Sequence, residues 1–135
     1  MHCSSRLWFE LTMNQNIIRG KRILLVDDEP SVRKSFRLLL EFDGHAVTEA
    51  NDGAEALELF ARGQFDQVTT DFEMPVMKGN ELAVRIKNLS PRQPILMITA
   101  SERGFGNSEN PVDSILNNPF AMDDLRGAID RLLSN

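Results

Sequence analysis

Residues 21–28 read KRILLVDD: two basic residues, four apolar residues without a break, then two carboxylates. Side chains of an extended strand point alternately to its two sides, so an unbroken apolar run implies burial on both faces. That is the pattern of a parallel sheet covered by helices, and the flanking sequence agrees. In EPSVRKSFRLLLEFDG (29–44), Pro30 suits a first helical turn, Val32, Phe36, Leu39 and Leu40 fall on one face, and Gly44 stops the helix. HAVTEA (45–50) reads as a second strand. In NDGAEALELFARG (51–63), Asp52 and Glu55 form a capping box, Ala54, Leu57 and Ala61 share a face, and Gly63 ends the helix.

The same alternation continues. A third strand runs through FDQVTTD (65–71), and the loop FEMPVMKG (72–79) leads into a helix that aligns Leu82, Ile86 and Leu89. PILMITA (94–100) is a fourth strand and VDSILNN (112–118) a short fifth. A last helix carries Leu125, Ile129, Leu132 and Leu133 at helical spacing. Five strands alternating with helices give an α/β fold with a doubly wound parallel sheet. One segment breaks the rhythm: SERGFGNSENP (101–111) is rich in Gly, Asn and Pro, so the fourth crossover is expected to be irregular or a shortened helix.

The bulk properties narrow the function. The 135 residues suit one domain, read as 21–135, preceded by an N-terminal extension, 1–20, expected to be flexible. Within that extension Trp8, Phe9 and Leu11 are the residues that would dock on a partner, if any do. A net charge of −5 argues against binding nucleic acid, and no apolar run is long enough for a membrane helix. The single cysteine, Cys3, allows neither an internal disulfide nor a cysteine zinc site, which fits a cytoplasmic protein.

Ligands of open α/β sheets bind beyond the carboxyl ends of the strands. Asp27 and Asp28 end the first strand and Asp71 ends the third, so neighbouring strands would bring three carboxylates together. Like charges at ~4 Å repel by about 4 kcal/mol at an effective dielectric near 20. Such a cluster calls for a cation, and oxygen ligands without His or Cys point to Mg²⁺. The plainer alternative is that each aspartate caps the helix that follows it.

LLVDDEPSVR, TTDFEMPVMKGNEL, PILMITA and NPF together resemble the receiver domain of two-component response regulators, from about Lys21 to the C-terminus. The resemblance implies a flavodoxin-like sheet of order 2-1-3-4-5, and a chain without a following DNA-binding domain is similar to the stand-alone, chemotaxis-type receivers. It implies Asp71 as phospho-acceptor and Thr99 as the switch hydroxyl. It also implies Mg²⁺ held by Asp28, Asp71 and the backbone carbonyl of Glu73, with Asp27 acting through water. The implied partners are a histidine kinase or phosphotransfer protein and a downstream protein. The domain itself would be a monomer or weak homodimer. It would be no enzyme beyond phosphorylating itself from small donors and dephosphorylating itself.

Three positions depart from the family pattern. The lysine that normally precedes the proline of the last loop is Asn118, and no Lys or Arg lies between Gly104 and Leu125. The aromatic switch position is Ile115, and the 101–111 segment lies where the family places its output helix. Lys78 and Arg103 are the two cations that could stand in. Two other readings remain: a pseudo-receiver that binds partners independently of phosphate, and a metal-dependent phosphohydrolase of another α/β family. Against the last, no DxD pair follows the first strand and the chain has no room for a cap domain.

Overall fold

The computed structural model describes residues 19–100 and 111–134. The expectations for Trp8, Phe9 and Leu11, for the 101–110 crossover and for Arg103 lie outside the described residues.

Five strands form one sheet: β1 (Arg22–Val26), β2 (Ala46–Ala50), β3 (Gln67–Asp71), β4 (Ile95–Thr99) and β5 (Ser114–Asn117). All pairings are parallel, in the order β2-β1-β3-β4-β5. Four helices are described: α1 (Pro30–Phe42), α2 (Gly53–Arg62), α3 (Gly79–Leu89) and α4 (Met122–Leu133). No helix among the described residues is long and apolar enough to cross a membrane.

The alternation inside β1 divides the core in two. Leu24 and Val26 pack with Ala56 of α2 and Leu82, Ala83 and Ile86 of α3. Ile23 and Leu25 point the other way, into Phe36 and Leu40 of α1 and Leu125, Ala128 and Ile129 of α4. Each fully buried Leu or Ile contributes about 1.5–3 kcal/mol relative to an exposed one, so β1 anchors both layers.

The helix ends follow from local chemistry. At the end of α1 the His45 amide donates to the Leu40 carbonyl (3.1 Å) and the Gly44 amide to Glu41 (2.9 Å). That closure needs a left-handed residue, and Gly44 sits at φ +89°. At the start of α2 the Asp52 carboxylate accepts from the Glu55 amide (2.8 Å), while Glu55 reaches back to the amide of Asn51 (2.7 Å). Asp52→Ala is expected to cost about 1 kcal/mol in urea unfolding, with the native fold retained.

Two polar ties cross the α1/α4 side. Arg126 of α4 grips the carboxylate of Asp43, just past α1, through Nε (2.7 Å) and Nη2 (2.9 Å). Gln67 of β3 is fully buried and donates from Nε2 to the Ile129 carbonyl (3.1 Å), while accepting from Thr69 Oγ1 (2.8 Å).

Several expected apolar faces are corrected. In α2 the buried face runs through Gly53 and Ala56, with Leu57 and Phe60 packed beside it, whereas Ala54 and Ala61 are exposed. Leu89 of α3 is 62% exposed, and Val32 of α1 also faces solvent. Strand β1 ends at Val26, one residue before the two aspartates expected to end it.

Candidate acid site at the carboxyl edge of the sheet

Strand register builds the site. Val26 of β1 is level with Thr70 of β3, so the next residues, Asp27 and Asp71, stand side by side at the carboxyl edge. Asp27 is fixed there by its amide, which donates to the Ala50 carbonyl at the end of β2 (3.2 Å). Its Oδ1 accepts from the Glu29 amide (2.9 Å), a local turn that directs the chain into α1. Carboxylate oxygens of Asp27, Asp28 and Asp71 lie within 4.8 Å of one another. Asp27 is buried, Asp71 half-buried and Asp28 exposed.

Crowding changes the acidity. Burial, then the charge of Asp27, pushes Asp71 up to about 6; the Glu73 amide opposes this and Asp28 adds to it. Asp27 is also raised, first by burial, with the Glu29 amide acting the other way. Two carboxyls of one cluster therefore resist ionisation, the expected response of like charges crowded at a partly buried strand end. The donor set is all oxygen and anionic, which fits a hard divalent cation such as Mg²⁺.

The β3–α3 loop is held tightly against Asp71. A Cβ on Gly79 would lie 2.3 Å from the Asp71 carbonyl oxygen, so no side chain fits where α3 begins. The Gly79 amide donates to the Phe72 carbonyl (3.0 Å). Within the loop, Met77 N–H donates to the Pro75 carbonyl (2.7 Å) around Val76 at φ 72°. A β-branched residue in that left-handed γ-turn is strained, and Val76 is fully exposed.

The remaining expected residues take separate places. Thr99 ends β4 one residue beyond Ile98, which is level with Asp71, and it is completely buried. The Glu73 side chain is exposed and accepts from Lys78 Nζ (3.2 Å), which also lies 5.5 Å above the Phe72 ring. Lys78 is thus engaged at the rim. Asn118 is exposed just after β5, its backbone N–H donating to the Thr99 carbonyl (2.8 Å), and the Asn118–Pro119 peptide is cis. Ile115 lies within β5, level with Met97.

Sequence reasoning missed Arg33. Its Nη1 donates to the Asp27 carbonyl (2.6 Å) and its Nε to Glu49 of β2 (2.6 Å). The available signal was spacing: helical side chains lean toward the N-terminus, so a long residue one turn into α1 reaches back over the strand ends.

Residues 23–130 match the response regulator receiver domain. The chain belongs to that family. The receiver is 41% identical over 116 residues to the response regulator MprA of Mycobacterium leprae (strain TN), a match covering 83% of this chain and 50% of that protein. It spans about half the length of the curated relatives it matches. Among solved structures, the receiver resembles the response regulator TrrA of Thermotoga maritima, determined in complex with Mg²⁺-BeF. That match has a TM-score of 0.78 and 34% identity, covering 83% of this chain and 98% of the other. The chemotaxis response regulator CheY4 of Vibrio cholerae is similar at TM-score 0.76 and 31% identity, covering 84% and 98%. The expected five-stranded 2-1-3-4-5 fold and the expected family both hold.

Proposed function

We propose that this receiver accepts a phosphoryl group on Asp71 from a histidine kinase or phosphotransfer protein and signals by protein–protein contact. The observation that supports this reading is the meeting of Asp27, Asp28 and Asp71 at adjacent strand ends, with oxygens within 4.8 Å. An Asp71 carboxylate oxygen attacks phosphorus, the phosphorus–nitrogen bond of a phosphohistidine breaks, and the imidazole leaves with the bonding electron pair and takes up a proton from solvent. Asp28, Asp71 and the Glu73 carbonyl would hold Mg²⁺ directly and Asp27 through water. Bound there, the ion offsets charge on the attacking and transferred oxygens. Thr99 is the hydroxyl proposed to turn toward the phosphoryl group. We further propose that residues 21–135 form the receiver unit, with 1–20 as an extension, working in the cytoplasm as a monomer or weak homodimer.

The replacement of the usual lysine by Asn118, together with the engagement of Lys78 by Glu73, favours one second reading. In it the domain is a pseudo-receiver whose partners bind regardless of phosphate. Acetyl phosphate with MgCl₂ separates the two. Intact mass spectrometry is expected to show one added phosphoryl group, lost in Asp71→Asn and in EDTA. An unmodified parent, under conditions where an ordinary receiver reacts, establishes the pseudo-receiver instead.

Metal binding has its own test. Only the folded chain assembles the ligands, so Mg²⁺ at ten times its Kd should stabilise the fold by about 1.4 kcal/mol. The thermal midpoint should rise with MgCl₂ in the parent and stay flat in Asp28→Asn, with ionic strength matched and CaCl₂ as control. A parent midpoint indifferent to Mg²⁺ removes the proposed ligand set.

A further inference from the structure

Asp27 is the pivot between β1 and the acid cluster, and its backbone is held from two sides. Its amide is bonded to Ala50 of β2, and its carbonyl accepts from Arg33 Nη1. That carbonyl belongs to the peptide that joins Asp27 to Asp28, so whatever fixes it also aims Asp28.

Arg33 is itself fixed. Its side chain is only 13% exposed, and its Nε is bonded to Glu49, which is level with Leu25 of β1. Glu49 also accepts from Arg37, and the two guanidiniums hold its carboxyl below the ordinary range. The fork of Arg33 therefore joins β2, α1 and the Asp27–Asp28 peptide through two short bonds at once. A planar guanidinium can span those acceptors together; a single ammonium cannot reproduce the fork.

We propose that Arg33 is a positioning residue for the metal site, orienting the Asp27–Asp28 peptide so that both carboxylates converge on Asp71. This rests on the Mg²⁺-binding reading above. Arg33 touches neither metal nor phosphoryl group; it works through the backbone of the residues that do. Its positive charge, taken alone, would repel Mg²⁺, so geometry and charge predict opposite signs for its removal.

Calorimetric Mg²⁺ dissociation constants, with urea stability in EDTA, decide between them. Arg33→Met is expected to weaken Mg²⁺ binding about tenfold, the usual scale for groups that orient metal ligands. Arg33→Lys, which keeps the charge, is expected to lose nearly as much. Should Arg33→Met not fold, Arg33→Lys carries the test by itself. Tighter binding in Arg33→Met with an unchanged Arg33→Lys would mean that only charge matters, and overturns the proposal. Lower metal-free stability with an unaltered Mg²⁺ constant would leave Arg33 a purely structural tie, and overturns it too. A parent that binds no Mg²⁺ is a different failure: the metal reading itself falls, and this inference with it.

Discussion

In EDTA at pH 7, Asp71→Asn is expected to be more stable than the parent, and the difference is expected to shrink as pH falls and to vanish below the ordinary value of 3.8. The folded Asp71 carboxyl titrates at about 6 against an ordinary 3.8, so across that window the folded state binds more protons than the unfolded chain. Stability therefore falls as pH rises through the window. Converted in full, two units amount to about 3 kcal/mol. Asp71 is half-buried, and solvent screening reduces the expected gain of the variant to roughly 1–2 kcal/mol. Asp27, also raised, adds a slope of the same sign. His45 opposes them. Its Nδ1 accepts the Lys21 amide (3.3 Å) and burial lowers its pKa, so its contribution is lost as pH falls below the ordinary 6.5. Subtracting variant from parent cancels His45 and leaves the Asp71 contribution. Urea unfolding from pH 4 to 8 gives the comparison. A variant no more stable than the parent at pH 7 means that the carboxylates do not strain the metal-free fold.

Asn118→Lys is expected to act on the same strain from the end of β5, two strands away along the same carboxyl edge. Asn118 is solvent-exposed and tied by its amide to Thr99, so a longer side chain there has room to extend over the carboxyl edge. An ammonium near Asp71 favours the ionised carboxyl and draws its pKa back toward the ordinary value. The metal-free protein should gain roughly 1 kcal/mol at pH 7, a discounted value for a partly exposed pair. Mg²⁺ binding should weaken by about fivefold, since ammonium and metal offset the same oxygens. In an Asp71→Asn background the stabilisation should largely vanish. An equal gain in both backgrounds would mean that the lysine acts elsewhere, and that position 118 does not face the acid site.

The strand and cap chemistry of this chain was legible because it is local. The unbroken run Ile23–Val26 announced burial on both faces, and Asp52 with Glu55 announced a helix start. The convergence of Asp27, Asp28 and Asp71 was also legible, as a consequence of strand ends meeting. Helix faces were less so. Around α2, alanines and glycine alternate closely enough that Ala54 and Ala56 read alike, and tertiary packing chose Ala56. Leu89 fits the spacing of a buried face, yet it is the last residue of α3 and faces solvent. Arg33 was hidden for a different reason: a side chain that reaches back six residues to a backbone carbonyl leaves no trace in a hydrophobic pattern, and only its place one turn into α1 hints at it. Val76 was hidden as well, because a left-handed turn is normally announced by Gly or Asn.

The bond from Gln67 to Ile129 also bears on how the chain is made. During synthesis β1 to β4 emerge first, and by then the buried amide of Gln67 has its Thr69 neighbour but not the carbonyl it donates to. Asp43 likewise waits, without its guanidinium, for Arg126 to leave the ribosome. Until then the α1 side of the sheet presents Ile23, Leu25, Leu96 and Ile98 with half their cover missing. Helix α4 is thus the closing piece of this domain. The domain gains a finished interior only once α4 has been made, and every shorter intermediate exposes an adhesive apolar surface to its neighbours.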